Sequence, residues 1–356
     1  MESAKDRIIG IDIAKIVAMI FVVGVHVNGF GLPYTGASEP GLGYQLIRKL
    51  LGALFMSCIN IFALASGYIG VLMRFNLSRI VRLWLQVVFT GLMVVVAIDV
   101  FTDIPITPFK YFRACIPIAK NEYWYMTAYF MLCFVMPLVN SGIKALEEKE
   151  LRRGVILLIG IICGESFICS ANALGVAHGY SFAWLFVLYI VGAYIRLYRP
   201  FCGCRIHFLG IAVVCAMVAG WCPLLLEKMQ MISYWKSSEI LKFSGYTSPF
   251  TVVISICIFL SCLEIGVPFS WARKIIVTLS ETTTGVYLIH VQPLFFGNIF
   301  RREIQKFGVS SVGEYLFKLA VVTMVVYIAC TALDYIRLSL FRVVERIARS
   351  FRKIYN

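Results

Sequence analysis

Apolar residues fall along this chain in long blocks separated by short polar stretches, and the blocks have the length of a bilayer crossing. About 20 apolar residues carry an α-helix through the hydrocarbon core. Ten stretches meet or approach that length: roughly residues 9–30, 50–72, 83–101, 122–140, 154–173, 180–197, 207–226, 248–265, 275–298 and 315–338. Inside a bilayer every backbone N–H and C=O has to be paired within the protein, and unbroken apolar blocks of this length satisfy that as helices. The pattern predicts an all-α, polytopic integral membrane protein with about ten transmembrane helices in one bundle. A Pro-containing loop, Asp103 to Asn121, parts the third block from the fourth, and no block repeats another. One transmembrane domain, 1–338, is expected, followed by a basic cytoplasmic tail, 339–356. From Arg337 to Lys353 the tail is periodic enough for an amphipathic helix on the membrane surface.

Composition strengthens this reading. The 356 residues are 60% hydrophobic and 15% charged, with a mean hydropathy of +0.85. Soluble domains carry roughly 25% charged residues, so a soluble fold could not cover this much apolar surface. The formal charge of +14 does not point to nucleic acid, because the basic residues sit between apolar blocks rather than in one aromatic-laced patch. In a membrane protein such an excess reports orientation and contact with anionic lipid. With the N-terminus inside, 21 of the 33 Lys and Arg fall on the cytoplasmic side, although Arg301 and Arg302 fall outside. The expectation is a multi-pass plasma-membrane protein with both termini cytoplasmic. The first block holds Asp12 and Lys15 and has no small-residue cleavage pattern after it, so no cleaved signal peptide is expected. The 12 cysteines lie mostly inside apolar blocks and read as small apolar residues. Cys202 and Cys204 form a lone CxC with unusual spacing for a metal site, and no metal is expected.

Some residues are not explained by burial in lipid. An ionisable group within a span costs at least about 2.5 kcal/mol on insertion scales. The first block carries three, Asp12, Lys15 and His26. At about 100° per residue they share one helix stripe, with Lys15 near the cytoplasmic entrance and His26 about 16 Å further along. Spacing suggests Lys15 as the partner of Asp12 at i+3. His26 reads either as a hydrogen-bonded structural histidine or as a reactive one. Arg79 and Arg82, three apart on one helix face beyond the Ser66-Gly67-Tyr68 turn, could clamp phosphates or merely anchor topology. In TLSETTTGVYLIH, Ser280, Thr283 or Thr284, Tyr287 and His290 make a polar stripe, either a cavity wall or interhelical glue. Glu165 is a lone acid in the fifth block. Tyr123-Trp124-Tyr125 reads as an interfacial aromatic belt.

Taken together these segments resemble the acyltransferase 3 family. The opening, Asp12, Lys15, ten residues and His26, is similar to the family's Asp, Arg, ten residues and His, with Lys in place of Arg. Ser66-Gly67-Tyr68 is similar to its SGY/SGF turn, and Arg79 with Arg82 to its Arg-x-x-Arg. YWYMTAYFMLCFVMPLVN from Tyr123, AWLFVLYIVGAYIRLY from Ala183 and GVYLIH ending at His290 match further family segments in order.

The resemblance implies a membrane acyltransferase with an acyl-CoA donor, most often acetyl-CoA, taken from the cytoplasm. It implies as acceptor a hydroxyl of a surface polysaccharide or its lipid-linked precursor. On this basis Arg79, Arg82, Lys15, Ser66 and Gly67 are expected along the donor's path. His26 is expected as general base or acyl-carrying nucleophile, with His290 or Glu165 as a second acid/base group or as the group holding its tautomer. A transporter or flippase for a lipid-linked sugar or small anion is the competing reading, since intramembrane Asp, Lys, His and Glu suit it too. The lack of an internal repeat counts against it.

Overall fold

The computed structural model describes residues 7–36, 40–168, 173–200, 203, 205–229 and 237–355, with 237–240 and 345–355 described by backbone alone. The chain forms helices α1 (Ile9–Phe30), α2 (Leu42–Phe55), α3 (Cys58–Gly70), α4 (Leu77–Phe101), α5 (Pro108–Cys115), α6 (Trp124–Ala145), α7 (Glu148–Ile168) and α8 (Phe182–Tyr198). It continues through α9 (Arg205–Lys228), α10 (Ser237–Ser244), α11 (Pro249–Leu263), α12 (Ser270–His290), α13 (Pro293–Phe295), α14 (Arg301–Gln305) and α15 (Val312–Tyr355). The extended structure among the described residues is one isolated bridge, Tyr34 to Val309.

Among the described residues every apolar block falls on a helix, but the count of spans is smaller than ten. Among the described residues seven helical segments are long and apolar enough to cross a membrane: α1, α2 with α3, α4, α6, α9, α10 with α11, and the first part of α15. The three remaining blocks fall on α8, which is apolar but only 17 residues long, and on α7 and α12, which carry more charge and polarity. The second block is bent between α2 and α3, where the Ser57 hydroxyl donates to the Leu54 carbonyl at 2.7 Å, a bond that competes with the helical ladder. The ninth block ends at His290 rather than 298. Pro293 follows, and the Gln292 side chain accepts from the Phe295 N–H to start a new short helix. Basic tail and last span are one continuous backbone helix, Val312–Tyr355. The side chains beyond Val344, and with them the amphipathic character of the tail, lie outside the described residues.

Helices meet where side chains are small. A Cβ on Gly67 of α3 would collide with the Tyr189 carbonyl of α8, and one on Gly192 of α8 with the Leu64 carbonyl of α3. Small residues at matched positions let two backbones touch, the packing mode that replaces the hydrophobic effect inside lipid. Asn60, Trp184, Asn140 and Tyr189 add bonds among buried side chains, with Trp184 Nε1 donating to Asn60 Oδ1 at 2.9 Å and Tyr189 Oη to Asn140 Oδ1 at 2.8 Å. On α12, Gly285 fits against Asp334 of α15, a fully buried carboxylate gripped by both arms of Arg337 at 2.6 and 2.9 Å. Large apolar side chains turned outward, such as Phe101, Leu138 and Ile206, form a surface suited to lipid rather than water.

Candidate functional site

Helices α1 and α12 lie side by side and bring together two histidines 264 residues apart in sequence. His26 Nδ1 is 3.2 Å from His290 Nε2, and His290 Nδ1 is 2.6 Å from the Val286 carbonyl oxygen. A carbonyl oxygen only accepts, so His290 Nδ1 must carry a proton. With the pair uncharged, His290 Nε2 is then an acceptor and His26 Nδ1 its donor. The lone pair of His26 therefore rests on Nε2. His290 is fully buried, while His26 is partly open. His26 lines a cavity of about 180 Å³ with Glu122, Tyr123, Trp124, Tyr246 and Tyr287. The ring of Phe296 stands edge-on to His26 at 5.0 Å and fixes its tilt.

The same two helices are clasped again between the start of α1 and the middle of α12. Arg7 grips Asp12 with a two-pronged pair at 2.8 and 2.9 Å, and the Ser280 hydroxyl donates to Asp12 at 2.6 Å. Arg7 also reaches Glu281, whose second oxygen accepts from Arg342 of α15 at 2.7 Å. The bond to Asp12 raises the pKa of Arg7 further, so the clasp stays charged. Asp12 thus has Arg7 as a forked partner that helical spacing does not reveal. It is 14 residues from His26, a rise of about 21 Å, and acts on the register of the helices rather than on the imidazole.

A second, larger cavity of about 600 Å³ opens among α3, α4 and α6. Lys15, Arg74, Arg79 and Lys144 surround it, Ser66, Tyr129, Cys133 and Asn140 line it further in, and no acidic side chain is among its walls. Four cations around one concavity make a strongly anion-attracting mouth. Of the residues singled out in the sequence, Lys15, Ser66 and Arg79 line this cavity. Arg82 is exposed on α4 and is not among its walls, and Gly67 faces α8.

A family model described as an acyltransferase domain, acyltransferase 3, matches residues 8–333. The chain belongs to the acyltransferase 3 family. No curated protein and no solved structure matches it. Both cavities of this membrane acyltransferase are lined by residues within the matched range.

The two cavities lie toward opposite ends of α6. Trp124, at its start, lines the histidine cavity, while Tyr129, Cys133 and Lys144 line the basic one. Between them stands Tyr125, stacked on Tyr129 with ring centroids 6.1 Å apart and 12° between planes, and edge-on to Tyr287 at 6.0 Å. Tyr287 in turn touches the His290 ring at 6.4 Å. Glu165 is not among the walls of either cavity; its carboxylate accepts from the Ala173 N–H at 2.9 Å. No cluster of His, Cys, Asp or Glu suited to a metal occurs among the described residues, and the Cys202–Cys204 pair lies outside them. Sequence reasoning missed Glu122, Tyr246 and Lys144, and read Tyr123 and Trp124 as a lipid-facing belt. A carboxylate directly before an aromatic triplet at a span's start, which lipid burial does not explain, was the available signal for Glu122.

Proposed function

We propose that this acyltransferase moves an acetyl group from cytoplasmic acetyl-CoA to a hydroxyl of a cell-surface polysaccharide or its lipid-linked precursor. What supports the reading most is one juxtaposition: a four-cation cavity and an accessible imidazole cavity approach each other from opposite ends of α6, with Tyr125 between them. The nucleotide phosphates of the donor fit Arg74, Arg79, Lys144 and Lys15, and the pantetheine arm points inward past Ser66 toward Tyr129. At the other end the acceptor hydroxyl meets Nε2 of His26. In the direct route His26 takes the hydroxyl proton as the oxygen attacks the thioester carbonyl. The C–O bond forms, the C–S bond breaks, and the thiolate leaves to be protonated as the free thiol. In the two-step route Nε2 itself attacks the thioester, the C–N bond forms and the thiolate leaves. The hydroxyl then attacks the acyl-imidazole, the C–N bond breaks as the C–O bond forms, and the hydroxyl proton passes to the freed Nε2 and so to the thiolate. Both require the tautomer that His290 favours, so His290 is a positioning residue. The test is CoA release and acetyl transfer by purified protein in lipid nanodiscs. His26→Ala and His26→Gln are both expected to lose activity by about 10²–10⁴-fold while folding normally. Substantial activity in His26→Gln would reduce His26 to a hydrogen-bonding role and overturn the assignment. Acyl label on His26 after incubation with donor alone would select the two-step route.

A further inference from the structure

Beside the histidine cavity lies a third concavity of about 160 Å³ that shares Glu122 and Tyr123 with it. Its polar walls are Lys110 and Arg113 of α5, Glu122, Gln292 and Asn298. Arg113 is paired with Glu122. Lys110 is half-buried and makes no ion pair among the described residues, so the concavity carries one uncompensated positive charge. Gln292 is 96% buried, its relative exposure being 4%. Its carbonyl oxygen is used by the Phe295 N–H, yet its amide nitrogen has no hydrogen-bond partner among the described residues. That nitrogen is not among the side-chain atoms shut off from solvent, and an amide donor open on a cavity wall can receive a ligand atom or water. A cationic ammonium, an unused amide donor and a carboxylate acceptor around a small polar hollow match the hydroxyls and anionic group of a sugar ring, not an apolar chain.

We propose that this concavity is the acceptor subsite, and that it selects a glycan carrying an anionic group, with Lys110 and the Gln292 amide holding the anion while Glu122 and Tyr123 lead the ring's free hydroxyl toward His26. The proposal rests on the acyl-transfer reading for the role of the bound glycan, but the binding itself is separable from it. A carboxylate on the sugar and a phosphate on its anomeric position present the same chemistry, so both are tested. Equilibrium binding to the full-length protein in nanodiscs is measured for an oligogalacturonide and its carboxyl-reduced counterpart, and for a hexose 1-phosphate and the free hexose. At least one anionic probe is expected to bind about tenfold more tightly than its uncharged partner, and which one does so names the source of the anion. Lys110→Glu is expected to abolish that preference and Lys110→Arg to keep it; α5 lies outside the spans and the side chain is half-exposed, so neither change threatens the bundle. The proposal is overturned if neither anionic probe is preferred over its uncharged partner, or if Lys110→Glu leaves the preference intact. Failure of acyl transfer with anion-selective binding retained would instead count against the acyl-transfer reading alone.

Discussion

Removing His290 while leaving His26 in place separates a positioning role from a chemical one. His290→Leu deletes the acceptor for His26 Nδ1–H and keeps an apolar side chain in a fully buried site. A neutral hydrogen bond contributes about 0.5–1.5 kcal/mol, and at 3.2 Å this one is not short. Loss of that bias lets the proton move to Nε2 in part of the population, so kcat should fall about 2- to 12-fold, at roughly 1.4 kcal/mol per factor of ten. That is far below the loss expected for His26→Ala, and the donor KM should not change. His290→Gln, whose carbonyl oxygen can accept from Nδ1–H, should recover most of the difference. The assay is CoA release in nanodiscs, followed chromatographically, across saturating and limiting acetyl-CoA. A kcat for His290→Leu as low as that of His26→Ala would refute the reasoning, because it would make His290 a proton donor or acceptor in the reaction. An unchanged kcat would refute it from the other side.

Further outcomes follow from the cavities and the helix contacts. Arg79→Ala should raise the apparent donor KM about tenfold, the lower end for a charged hydrogen bond of about 1.5–3 kcal/mol because the side chain is exposed, whereas Arg82→Ala, outside the cavity wall, should change it by less than about threefold; equal effects would dissolve the distinction. Gly285→Ala should push Asp334 off Arg337, and breaking a buried pair costs about 3–5 kcal/mol, so thermal unfolding in detergent should occur at clearly lower temperature, with Gly142→Ala, whose Cβ meets open space, as the unchanged control. In a background freed of reactive native thiols, Lys120→Cys should react with a membrane-impermeant thiol reagent on intact cells and Lys149→Cys should not, both positions being exposed; the reverse pattern would invert the proposed orientation.

Much of the fold could be read from block length, because lipid admits so few ways of pairing a backbone. The number of crossings was less legible: α7 and α12 carry charges within otherwise apolar helices, and α8 is short, so composition alone treats them differently from their neighbours. Periodicity placed His26 and His290 each on a polar stripe but could not say that the stripes face one another, since a helical wheel fixes a face and not its neighbour. Asp12 shows the limit of local spacing. Spacing within the helix points to Lys15 and gives no sign of Arg7, which from the extended lead-in to α1 reaches the carboxylate with both arms of its fork. Gly67 shows another: a glycine in a signature turn looks like room for a ligand, and here it is room for the backbone of α8. The outer concavity was invisible because Lys110 and Glu122, from the stretch between α4 and α6, meet Gln292, from the link after α12, at least 170 residues further on with no shared spacing.

The stacked Tyr125 and Tyr129 have a consequence for the cell's energy supply. A membrane that holds 100 mV exerts about 2.3 kcal/mol on every elementary charge that crosses it. Two polar hollows entering a bundle from opposite ends would, if they met, give protons a wire across that voltage, with an imidazole pair part-way along it. From Tyr129 on the basic cavity through Tyr125 to Tyr287 on the histidine cavity the rings follow one another at 6.1 and 6.0 Å, and they interpose carbon faces where a file of water would otherwise form. The enzyme can thus keep its two half-sites on either side of a short run of packed rings without becoming a leak.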